Sequence, residues 1–185
     1  MRHPVPLTGE PPALDLLNTR PAGADLISTP DGLAAWLALQ GDRVPQPGPG
    51  MLTDDDLAPV HEVRDHAAAA IDRARRGERP PAASLDGLTD AQRRAPAIRR
   101  LAWNGTAVTA TAHRTGPYGV RLAAHLAEAA AALLADPAIG RVRACEADDC
   151  TMLFLPAHPR RRWCSAARCG NRARVARYYE RHKYG

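Results

Sequence analysis

The chain predicts an α+β protein. A mainly helical N-terminal domain with a few short strands comes first, and a small cysteine-built module ending in a helix follows. Three observations predict this. Helix start and stop signals punctuate residues 1–140, all four cysteines fall between Cys145 and Cys169, and the positive charge gathers in the last 45 residues. The 185 residues are 45% hydrophobic, enough to bury a core in one domain plus a small module. Aromatics make up only 4%, so an alanine-rich core must rely on close helix packing. The composition excludes a coiled-coil rod, collagen and a fully disordered tail. The longest apolar run, Ala129 to Ala135, is seven residues, too short for a membrane helix. The opening MRHPVPLTGEPP has no apolar signal segment, which predicts a cytoplasmic protein.

Along the N-terminal domain, residues 11–19 (PPALDLLNT) read as a short buried strand or turn-strand. Thr29 can cap a helix, Pro30 suits its first position, and Asp31 suits its positive end. That helix runs to about Leu39, with Leu33, Trp36 and Leu37 on one face, and Gly41 ends it. The Pro/Gly-rich stretch 41–50 is a loop. Thr53 with three aspartates starts a second helix, in which Leu57, Val60, Val63, Ala67 and Ile71 recur at helical spacing down to about Arg75. A third helix is expected over 86–102, disturbed at Pro96. Asn104-Gly105 is a turn, and 106–113 alternates like a strand. A fourth helix, about 117–135, carries Leu122, His125, Leu126, Ala129 and Leu133, with His125 as a core histidine. Pro137 and Gly140 close the domain, giving boundaries of 1–140 and 141–185.

The cysteines read Cys145-EADD-Cys150, thirteen residues, then Cys164-SAAR-Cys169. Two close pairs a dozen or so residues apart are the spacing of a four-thiolate structural zinc site, with one ion held tetrahedrally by Cys145, Cys150, Cys164 and Cys169. Disulfides are one alternative, in three possible connectivities, disfavoured by a chain with no export signal, and free cysteines are the other, disfavoured by the clustering. Four thiolates close the coordination sphere and leave no position for a catalytic water. Residues 151–155 read as a strand, Pro156 and Pro159 bracket a turn, and Arg160, Arg161 and Arg162 lead into the second pair. Gly170 is expected to give backbone freedom beside Cys169, and Asn171 to cap a final helix of about 172–183. On it, Val175, Tyr178, Tyr179 and His182 share one side, and Arg174, Arg177 and Arg181 another. Knuckle, hairpin, knuckle and helix make a treble-clef-like plan.

Residues 141–185 hold ten arginines and one lysine against four acids, a net +7, whereas residues 1–140 sum to −2. A basic module of this kind suits a polyanion, DNA first.

The segment RRRWCSAARCGNRARVARYYERH (160–182) resembles the signature of CGNR zinc-finger proteins, named for Cys169-Gly170-Asn171-Arg172. The upstream chain resembles the ABATE-type domain that accompanies this finger, through Leu14-Asp15-Leu16-Leu17-Asn18-Thr19, the helix containing Ala35-Trp36-Leu37, and the apolar helix before Cys145. The resemblance implies a bacterial, stress-induced transcription regulator whose finger binds DNA. One departure stands out. Between the knuckles, where the family shows an aromatic, then Asp and Ser at alternate positions, this chain has Phe154, Pro156 and His158.

Three classes of function follow. The first is a DNA-binding regulator, with Arg160, Arg161, Arg162, Asn171, Arg172, Arg174, Arg177 and Arg181 as contacts and Arg172 or Arg174 near a base edge. Arg172 could instead brace the knuckle. A homodimer reading two half-sites fits the modest contacts of one finger. The second is a zinc-dependent protein-interaction module without DNA. The third, an enzyme, lacks any Ser/His/Asp spacing, phosphate loop or His-containing metal motif. Asp15 and Asn18 are candidates to line a pocket for an effector, against the plainer role of tying down a buried turn, so the N-terminal domain could sense a ligand or mediate assembly.

Overall fold

The computed structural model describes residues 8–48 and 52–182, except the side chains of residues 177, 180 and 181. The chain opens with α1 (Pro12–Leu17), where a short strand or turn-strand was expected. Pro12 stands in the first helical turn, where its missing N–H costs nothing. Leu14, Asp15 and Leu16 are all buried, so no polar face marks the helical period. Helix α2 (Pro30–Gln40) follows the sequence reading: Thr29 accepts a hydrogen bond from the Gly32 N–H at 3.1 Å, and Leu33, Trp36 and Leu37 are buried.

A capped 3-10 turn at Asp54–Asp56 leads into α3 (Leu57–Ala74), whose five expected apolar positions are all buried. Helix α4 (Ala82–Arg94) starts earlier than expected and stops before Pro96, which cannot continue a helix and pushes Ala95 out of helical geometry. The expected helical residues beyond it are instead β1 (Ile98–Trp103), paired antiparallel with β2 (Val108–His113). The Asn104 side chain accepts from the N–H groups of Thr106 and Ala107, and Gly105 supplies the positive φ of the turn.

Helix α5 (Tyr118–Ala135) packs with α3 and α4, and α1 lies across α3 and α5. Two close approaches to backbone need glycine. A Cβ on Gly119 would sit 2.5 Å from the Asp56 Cα, and one on Gly32 2.4 Å from the Leu26 carbonyl oxygen. His125 is half-buried rather than core, and its ring bonds the Arg43 carbonyl at 3.2 Å. A half-buried ion pair ties α3 to the loop before α2. Arg64, 1% exposed, grips the Asp25 carboxylate with both terminal nitrogens and bonds the Thr19 hydroxyl at 2.9 Å.

After a 3-10 turn at Pro137–Arg141 come β3 (Arg143–Ala144) and β4 (Leu153–Phe154), paired antiparallel. A π-helical turn, Ala166–Gly170, runs into α6 (Asn171–His182). The main core spans α1 to α5 and takes in Val142, while Leu153 and Leu155 pack on it. A second, far smaller core holds Cys145, Met152, Phe154, Cys164 and Cys169. No described helix is long and apolar enough to cross a membrane.

Candidate metal centre and nucleic-acid interface

The β3–β4 hairpin carries the first cysteine pair. The Cys145 N–H donates to the Met152 carbonyl at 2.9 Å, and the Cys150 N–H closes a turn onto Ala147. The second pair sits at the head of α6, where the Ser165 hydroxyl accepts from the Arg168 N–H and starts the helical turn. Ser165 therefore does the capping expected of Asn171, which is already helical. Gly170 has no positive φ, contrary to expectation. It lies against the Trp163 ring, where a Cβ would stand 3.4 Å from Cε3.

All four sulfurs lie within 4.8 Å of one another, and the cysteines form no disulfide. Cys150 to Cys164 is 3.7 Å and Cys164 to Cys169 is 3.6 Å. A tetrahedron with Zn–S bonds of about 2.3 Å has edges of about 3.8 Å. The donor set, its soft chemistry and its size all fit one zinc ion. Burial and the neighbouring thiols push Cys150 up to about 11 and Cys164 higher still. Burial also opposes ionisation of Cys169, but the Arg172 guanidinium and the other thiols outweigh it and hold its thiol low. One thiolate favoured at Cys169 hinders ionisation of Cys150 and Cys164, so four thiolates together need a dication. The Cys164 N–H, 3.3 Å from the Cys145 sulfur, eases that charge.

The arginines divide into groups. Arg161 is structural: it binds the Glu10 carboxylate at 2.6 Å and the Cys164 carbonyl at 2.7 Å, and stacks 4.5 Å over Phe154. Arg172 binds Asp149 at 2.7 Å and reaches the Cys169 sulfur at 3.4 Å, so it braces both knuckles. Arg162 pairs with Glu146 at the surface. Arg160, Asn171 and Arg174 are exposed, and no described ion pair engages either arginine. The side chains of Arg177 and Arg181 lie outside the described residues.

Asn18 lies at the seam between body and finger, where it lines a small cleft with Glu10, Leu153 and Arg161, and Asp15 is not among the residues lining it. The Asn18 amide donates to the Leu153 carbonyl at 2.9 Å and accepts from the Leu153 N–H at 2.8 Å, which holds β4 like a neighbouring strand. Asp15, fully buried, binds Arg43 at 2.7 Å and accepts from the Glu10 N–H. Burial pushes its carboxyl up to about 6 despite Arg43. Glu10 went unnoticed in the sequence. It accepts from the Leu155 N–H at 2.8 Å as well as from Arg161, 151 residues away, and no local pattern announces so distant a partner.

A family model described as "Putative stress-induced transcription regulator", ABATE, matches residues 10–137, and the CGNR zinc-finger model matches residues 141–182. The chain belongs to the ABATE family. Its C-terminal segment is a CGNR zinc finger with four clustered cysteines able to hold one zinc ion. Both matches are to regulator and zinc-finger families, not to enzyme families. A search of curated proteins finds no match. Around the CGNR tetrad, Cys169 is one of the four cysteines placed to hold a metal ion, Gly170 packs on Trp163, and Arg172 ties the second knuckle to the first.

Proposed function

We propose that this ABATE-family protein is a DNA-binding regulator that presents its zinc finger's second knuckle and α6 to the phosphate backbone. The observation that carries the reading is Arg174 and Asn171, both exposed and the arginine in no ion pair among the described residues, at the head of a helix fixed to the cysteine cluster through Cys169. Arg160, in no ion pair among the described residues, adds a cation from the preceding turn. The helical spacing of Arg177 and Arg181 from Arg174 extends the stripe. Arg162 pairs with Glu146, and both are well exposed, so a phosphate can replace the carboxylate at little cost. Arg172 stays with Asp149 and Cys169 as a brace. The acids Glu146, Asp148 and Asp149 line a groove together with Arg162 and, from α6, Arg172 and Ala176, so the charge there is partly offset and Arg160 and Arg174 are the main phosphate contacts in this reading. The N-terminal domain serves assembly or ligand response and reaches the finger through Glu10 and Asn18.

The test is binding to random and selected duplexes at two salt concentrations, with zinc-loaded protein. Arg174→Ala should weaken binding and lower the salt slope by about one per lost phosphate contact. Arg172→Ala should lose zinc retention with no change of base preference. Absence of affinity at low salt for either duplex contradicts the reading. A second reading, a zinc-dependent protein-interaction module, is favoured by Val175, Tyr178 and Tyr179, which are 45%, 55% and 68% exposed on α6. Partner binding insensitive to salt would support it.

A further inference from the structure

The β1–β2 hairpin stands apart from both cores. Eleven of its twelve strand residues are exposed, and among the described residues no other element packs broadly on either strand. Its register sorts the side chains by face. Arg99 pairs with Ala112, Leu101 with Ala110 and Trp103 with Val108, so one face is apolar apart from Arg99 at its root. The opposite face carries Ile98, Arg100, Ala102, Thr109, Thr111 and His113. Leu101, Trp103 and Val108 are 68%, 66% and 66% exposed. An isolated two-stranded hairpin is marginal in water, and one with an open apolar face calls for a cover.

We propose that this face is the contact surface between two copies of the chain, packed face to face about a two-fold axis with the hairpins antiparallel. Three features select a second copy. The face is self-complementary: its central row, Leu101 and Ala110, falls on the axis and meets its own counterpart. The antiparallel arrangement sets Arg99, at the root, over the partner's Trp103 near the tip, which keeps the two arginines apart and offers each an aromatic ring. The area suits a weak, concentration-dependent dimer. The three large side chains leave roughly 400 Å² open per copy, so two copies bury roughly 800 Å² before alanines and backbone are added, in the class of weak complexes below about 1,200 Å². One cation on an apolar sheet offers DNA nothing to bind, so the surface is separate from the α6 interface and stands whether or not the finger binds DNA.

Sedimentation of the full, zinc-loaded chain from about 1 to 200 μM tests this. Wild type should pass from monomer to dimer across that range. Leu101→Lys and Leu101→Glu should each remain monomeric with unchanged circular dichroism, because Leu101 supports no core. Mixing the two variants should restore a dimer, since the axis places residue 101 of each copy against the other. A monomeric wild type at 200 μM overturns the proposal, as do variants that dimerise like wild type. A mixture that stays monomeric overturns the face-to-face arrangement.

Discussion

The helical body and the finger reach a folded state by opposite means. In the body, α3 and α5 bury continuous apolar faces against α1 and α4, and the buried Arg64 ties in Asp25 and Thr19 beside them. In the finger, three of the five buried core residues are cysteines, so little apolar area remains once the metal ligands are discounted. A core that small cannot offset the entropy of ordering its chain without a metal. The difference teaches that the finger's stability resides in its ligands and the body's in its packing, with the Asn18 and Glu10 bonds as the joint.

The largest effect should break the comparison at the finger. Cys164→Ser removes a ligand from a site whose binding supplies on the order of 10 kcal/mol of folding free energy. It should unfold the 145–170 region while α3 and α5 keep their helicity, as read by metal analysis with circular dichroism. Next comes Arg64→Ala, which removes two hydrogen bonds from the partly exposed Asp25 carboxylate and one from Thr19, while Arg20 stays 3.6 Å from Asp25. It should destabilise the body by about 3 kcal/mol in denaturant titration and leave zinc content unchanged. Asp15 gives a pH signature. Its folded carboxyl titrates near 6 against an ordinary 3.8, so the folded state binds the proton more tightly. The contribution is fully present below about pH 4 and is lost as pH rises to about 6, amounting to about 3 kcal/mol. Relative to wild type, Asp15→Asn should flatten stability between pH 4 and 6. The smallest effect, about 1–3 kcal/mol, belongs to Asn18→Ala, which leaves both backbone groups of Leu153 without their partner. It should split one calorimetric transition into two, body and finger melting separately.

The elements with clean amphipathic periods were legible: α2, α3 and α5 lie within a few residues of their expected bounds. The cysteine spacing gave the metal cluster directly. Helix α1 was misread because burial on all sides erases its period, and β1 because the apolar positions before and after Pro96 continue one helical pattern across a real break. The seam was invisible, since Glu10, Asn18 and Leu153 are joined by topology alone. The domain boundary is sharpened too. Val142 is 3% exposed in the main core, so a fragment ending after Val142 should fold better than one ending at Pro137.

The contrast between the two regions is tested most directly by removing zinc from the full chain with a chelator and following backbone amide resonances. Signals from residues 145–170 should collapse to unfolded positions. Those of α3 and α5 should stay in place, and residues 10–18 should shift as the bonds of Glu10 and Asn18 are lost. Adding zinc back should reverse the change. A finger whose signals persist without metal, or a body that unfolds along with it, would contradict the account.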